Sequence, residues 1–250
     1  MEVFNIILPT SWAELTDKQL HMVYSLFARD LSAAEVKTPC LMKWNGLKVL
    51  SQLPDKRFLI KRGKEVVPLS SRQIQQATSV LDFLDSFAPM PVRISRIGKY
   101  RALPADFEKV PFEEFLFVEN LFQGYLNTQS DELLLQMAQV LYGSDRVRPS
   151  KAHLVGVFYW VSSLKQYFAG LFPNFYKPAS NNSSGNLLGN GQSNTYNQLR
   201  ETTNVMIRAL TGGDITKEDA IMKMDTWRAL TELDAKAKEA EELRKAYKKP

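Results

Sequence analysis

The sequence has little of the two residues on which metal sites and much acid–base catalysis depend. Among 250 residues there are one cysteine, Cys40, and two histidines, His21 and His153. A single cysteine excludes an intramolecular disulfide. A structural zinc site takes four Cys or His ligands at defined spacing, and three scattered residues cannot supply them. No metal site and no cofactor is expected. Cys40 stands among Pro39, Leu41 and Trp44 and reads as a small hydrophobe in a core. His21 and His153 fall on helical patterns and read as surface or capping residues, not as bases.

Other signatures are missing too. Gly189-Asn190-Gly191 begins like a dinucleotide loop, but Asn194 stands where the third glycine belongs and no strand precedes it. Ser162 and Lys165 match the S-x-x-K pair of serine enzymes without the S-D-N and K-T-G elements that accompany it. Glu113, Glu114 and Glu119 read as a solvated helix face, with nothing to mark a catalytic cleft between carboxylates. The longest apolar stretch, residues 153–172, is interrupted by Ser162, Ser163, Lys165 and Gln166. That makes it a core helix and not a membrane span, which needs about 20 predominantly apolar residues. The first residues, MEVFNIILPTSW, have neither the basic region nor the small-residue cleavage site of a signal peptide. The expected setting is the reducing cytoplasm. A non-enzymatic protein is expected.

What is present is an ordinary globular composition, 44% hydrophobic and 24% charged, with a net charge of +5. A chain of this size hides roughly 70–75% of its extended surface. Residues 3–8 are apolar and β-branched and predict a strand ending at Pro9. Thr16 with Gln19, Ser32 with Glu35 and Ser70 with Gln73 are capping boxes that open helices. The first helix carries Leu20, Val23, Tyr24 and Phe27 on one face. Pro39 predicts a break at Thr38 in the second. Residues 57–62 and 65–69 flank Gly63-Lys64 as a hairpin, with Pro68 placing its second strand at an edge. The third helix is expected to reach about Phe87, and residues 92–101 form a further strand. From Pro111 the pattern is helical, with segments at 112–126, 130–143 and 150–172. Residues 177–192, rich in Asn, Ser and Gly, predict a flexible linker. After it, Tyr196, Leu199, Met206 and Leu210 mark one helix. Thr216 caps a last helix of about 30 residues with Ile221, Met224, Trp227, Leu230 and Leu233 on its apolar side.

The fold class is therefore α-rich α+β. A mostly helical body over 1–176 holds a small antiparallel β element, made of the N-terminal strand and the hairpin near 57–69. A linker at 177–192 leads to a C-terminal helical pair over 193–250. That pair buries little alone, so it either docks back on the body or pairs with another chain. In the second case Met224, Trp227, Leu230 and Leu233 are the docking face, and removing 193–250 leaves a soluble body. The alternative is nucleic-acid association through Arg93, Arg96, Lys99 and Arg101, in a stretch with no acidic residue between Asp85 and Asp106. Tyr100 could add stacking.

Three strings carry a resemblance: LPTSWAELTDKQL at 8–20, PADFEKVPFEEFL at 104–116 and DTWRALTELDAKAKEAEELRKAYKK at 225–249. They resemble proteins encoded in tail modules of prophages from Bacteroidetes-type bacteria, and the second is similar to a stretch of small phage tail-assembly chaperones. The resemblance implies an assembly helper acting through protein–protein contacts, in the cytoplasm or assembled in a phage particle. It brings no catalytic residues.

Overall fold

The computed structural model describes residues 6–29, 31–177 and 195–247, with side chains from 201 onward in the last segment. The expected linker lies outside the described residues except at Lys177. The chain forms two compact units. Unit 1 comprises Met1–Ala88, Val92–Ile94 and Ser150–Tyr159, and unit 2 comprises Pro89–Pro91, Ser95–Pro149 and Trp160–Pro250.

In unit 1 the capping boxes act as the sequence predicts. Thr16 and Gln19 open α1 (Asp17–Phe27), Ser32 and Glu35 open α2 (Ala33–Trp44), and Ser70 and Gln73 open α3 (Ser71–Thr78). The expected break at Thr38 is absent, and α2 runs through Pro39. Loss of one N–H is offset because the same turns bury Val36, Cys40 and Leu41. A 3-10 turn at Ser79–Asp85 follows α3, so the regular helix is shorter than expected.

The sheet is antiparallel, in the order β1 (Lys48–Gln52), β2 (Phe58–Arg62), β3 (Glu65–Leu69). The β2–β3 hairpin turns at Gly63, whose φ of +59° suits glycine. The third strand is β1 and not the N-terminal segment. Ile6, Ile7 and Leu8 belong to no strand, and residues 3–5 lie outside the described residues. The Ile7 N–H donates to Asn45 Oδ1 at 3.0 Å, a side-chain partner in place of a ladder, while Ile6 and Leu8 pack on the sheet's core of Leu41, Leu47, Ile60 and Val67.

A second core gathers Trp12, Leu20, Val23, Tyr24, Val36, Cys40, Leu81 and Leu84. Trp12 Nε1 donates to the Phe83 and Ser86 carbonyls. The first turns of α6 (Lys151–Leu171) close on α1 at Gly156, where a Cβ would lie 2.9 Å from the Tyr24 ring.

Unit 2 begins with a two-rung hairpin, β4 (Arg96–Ile97) and β5 (Tyr100–Arg101), in place of a longer strand over 92–101. It continues with α4 (Phe112–Thr128), α5 (Asp131–Leu141), the rest of α6, α7 (Thr195–Thr211), α8 (Glu218–Met222) and α9 (Thr226–Tyr247). The single last helix expected from Thr216 is two helices. The chain is interrupted where it is stitched to the segment before α4. Phe112 N–H donates to the Met224 carbonyl, and the Thr226 N–H and hydroxyl both donate to the Val110 carbonyl. Asp225 then restarts the helix as its cap, accepting from Arg228 N–H.

Candidate functional site

Of the four residues expected to form a docking face, Leu230 and Leu233 are buried and Met224 and Trp227 are half-buried. Trp227 stacks edge-on against Tyr167, Phe168 and Phe172 at centroid distances of 5.8–6.1 Å. Trp227 Nε1 donates to the Asp106 carbonyl at 2.8 Å, and Trp160 Nε1 donates to the neighbouring Ala105 carbonyl at 2.7 Å. Met224 lies at the stitch before α9. This face is covered by the chain's own rings because burying two leucines and an indole contributes several kcal/mol, roughly 2 per side chain. Trp227 and Met224 keep part of their surface exposed. Segments 104–116 and 225–247 thus meet in unit 2.

Asp234 fixes the far end of the same anchor. Its carboxylate accepts from the Asn174 and Phe175 N–H groups and from Asn174 Nδ2, at 2.7–2.9 Å. Beyond it α9 is largely exposed, including Leu243 and Tyr247. Bonds to Lys177 and Lys245 hold the Glu241 carboxyl down at about 2.

The basic stretch divides between the units. Arg93 belongs to unit 1, is half-buried and is already engaged. Arg96, Lys99 and Arg101 lie on the β4–β5 hairpin of unit 2, exposed, with Arg96 and Arg101 directly opposite in register. Lys99 Nζ stands 5.4 Å from the Tyr100 ring centroid.

The scarce residues are placed as follows. Cys40 is fully buried, and burial pushes its thiol up to about 12, so it is inert. His21 and His153 meet, with ring centroids 4.8 Å apart. Ser150 Oγ lies 2.7 Å from His153 Nδ1, a distance that suits a nucleophile and its base. Its setting is a helix cap instead. Ser150 N–H donates to His153 Nδ1, and His153 N–H donates to Ser150 Oγ. That is the reciprocal pattern of a capping box, with imidazole in the place of Glu or Gln. Among the described residues no group of three or more His, Cys, Asp or Glu could hold a metal ion, and no helix is long and apolar enough to cross a membrane.

Two charge clusters escape sequence reasoning because they join distant residues. Lys37 bonds Asp82 and Asp85 at 2.6 and 2.5 Å. Burial opposes its charge, but the two carboxylates outweigh that and raise its pKa. In unit 2, Lys165 pairs with Glu119 beside the Tyr176 hydroxyl, whose pKa is raised by burial first and by Glu119 second.

The surface that sequence reasoning missed is the sheet. Residues 48–69, which span the sheet, hold six Lys and Arg against Asp55 and Glu65, a local charge of +4. The long interval from Glu35 to Asp82, with only those two acids inside it, was the available signal. Lys48 faces Lys61 across β1–β2, and Lys61 faces Val66 across β2–β3. Ser51, Leu59 and Pro68 form the next row of the same outer face. β1 is an edge strand, exposed at all five residues, with Val49 and Leu50 about half exposed at 53% and 51%. Compared with protein-family models, curated proteins and solved structures, the chain gives no match.

Proposed function

We propose that this protein is a non-catalytic interaction or assembly factor, and that it captures an acidic, extended segment of a partner protein on the β1 edge of its sheet. The observation that carries this reading is the combination of an edge strand exposed at all five residues, Val49 and Leu50 among them, with a local charge of +4 over the sheet. An edge strand offers unpaired N–H and C=O groups to an added strand, and pockets for alternate side chains give specificity. Lys48 and the bulge at Leu50 guard that edge against indiscriminate pairing. They also select. A second copy of this chain brings its own Lys48 and is repelled, whereas a strand with a carboxylate at that position is attracted. Lys48 opposite Lys61 costs stability within the sheet, and an acidic guest relieves it. A protein guest is favoured over nucleic acid because Leu59, Val66 and Pro68 on the outer face are apolar and no exposed ring there could stack a base. Strand capture of this kind suits the assembly role that the resemblance to phage tail-module proteins implies.

The test is fluorescence anisotropy of the full chain with three labelled probes: an alternating Glu/Val octapeptide, its Lys/Val counterpart and an oligothymidine. The acidic peptide is expected to bind saturably and to weaken with added salt. Lys61→Glu should abolish that binding while raising the stability of the sheet by roughly 0.2–1 kcal/mol, and Lys48→Arg should retain it. Equal binding of both peptides, or binding of the oligonucleotide alone, overturns the reading. The second outcome would favour the alternative, which rests on the paired Arg96 and Arg101 beside Lys99 and Tyr100. That alternative fails if no oligonucleotide binds at about 50 mM salt, where phosphate contacts are strong.

A further inference from the structure

The outward face of α1 carries Lys18, His21 and Ser25, spaced three and four residues apart in one row, and Arg29 follows in the turn just past the helix. Leu20, Val23 and Tyr24 turn the other way into the core. Lys43, from the last turn of α2, joins that row to enclose a pocket of about 320 Å³ floored by Leu26. Three permanent cations and an imidazole thus line one concavity, and no carboxylate lines it among the described residues. In unit 1 Lys37 is paired with Asp82 and Asp85, and Arg57 with Asp55. Lys18, Arg29 and Lys43 form no ion pair among the described residues. Gathering like charges in a cleft is unfavourable until an anion enters, and the same gathering draws the anion in.

We propose that this pocket binds a phosphate group, as the free ion or as a monoester. Its charge suits a dianion and repels metal ions. Its volume is at the lower end of the ~300–1,000 Å³ of small-ligand sites, enough for one phosphate and a small ester group. Arg29 supplies a forked donor, and Lys18 and Lys43 supply point charges. The His21 ring is bracketed by hydroxyls, with Ser25 Oγ 3.4 Å from Nδ1 and Ser150 Oγ 3.5 Å from Nε2. These partners orient an imidazole N–H at the pocket's edge. The apolar floor reduces local screening and strengthens each of these interactions.

The chain's two histidines make the test direct. Their Hε1 resonances are followed in the full-length protein at fixed pH while inorganic phosphate, O-phosphoserine or AMP is added. His21 is expected to shift saturably. Lys43→Gln and Arg29→Gln should each weaken binding about tenfold, the loss of one charged hydrogen bond, whereas Lys64→Gln, outside the pocket, should not. Tighter binding of either ester than of the free ion assigns a phosphorylated ligand, and the reverse order assigns phosphate itself. The proposal is overturned by the lack of a saturable shift up to about 10 mM phosphate, by an equal shift with chloride at matched ionic strength, or by pocket variants that titrate like Lys64→Gln.

Discussion

At Phe107 and Lys109 the backbone is left-handed, with φ of +62° and +59°. That region costs a residue with a Cβ roughly 1–2 kcal/mol. The two positions differ in what repays it. Phe107 is fully buried, with its ring edge-on to Phe115 and Trp160. Lys109 is exposed, and its ion pair with Glu108 at 3.4 Å lies in solvent, where such pairs contribute little. Lys109→Gly is therefore expected to stabilise the protein by up to about 1 kcal/mol, the strain relieved less the added freedom of the unfolded chain. Phe107→Ala should destabilise it by about 3–5 kcal/mol through the cavity it leaves. Urea unfolding followed by tryptophan fluorescence separates the two. Destabilisation by both variants would show that the turn at 105–109 depends on Lys109 in a way its exposure does not suggest.

Among the elements, α6 has an N-terminus that responds to pH. The His153 pKa is lowered, by burial first and by neighbouring His21 second. The unfolded chain therefore takes up the proton before the folded one does. The contribution of His153 is present above the ordinary value of 6.5 and is lost as pH falls through the folded value. Protonation also removes the Nδ1 lone pair that accepts from Ser150 N–H. The free energy of unfolding is expected to fall between about pH 7 and pH 5. His153→Gln, which restores an ordinary capping box, should flatten that fall. A variant with an unchanged slope would place the acid sensitivity elsewhere. The capping boxes at Thr16, Ser32 and Ser70 were legible in the sequence because a cap is a contact over three residues. β1 was not, because KVLSQ has no alternation of its own and becomes a strand only by pairing with β2.

For the whole molecule, the division of the chain changes what truncation should do. The sequence suggests a body over 1–176 that survives without its C-terminal helices. In the structure α9 supplies Trp227, Leu230 and Leu233 to the core of unit 2 and is bonded to Val110 and Asn174. Removing 193–250 would expose Phe112, Phe168 and Phe172, which are buried in the intact chain. The 1–176 fragment is expected to aggregate or to bind a dye for exposed apolar surface, with a lost thermal transition. A soluble, cooperative fragment would show that the α9 anchor is dispensable.

The sequence by itself determined the class of fold, the helix starts, the β2–β3 hairpin and the burial of Cys40. Each follows from periodicity, capping or composition over a few neighbouring residues. Only the tertiary structure decided which apolar faces are already occupied and which charges are gathered. It turned Trp227 onto Phe168, brought the two histidines together, and aligned Lys48 with Lys61. A hydrophobic stripe announces that it will be buried but not against what. A charge carries no mark of its neighbours until the chain has folded around it.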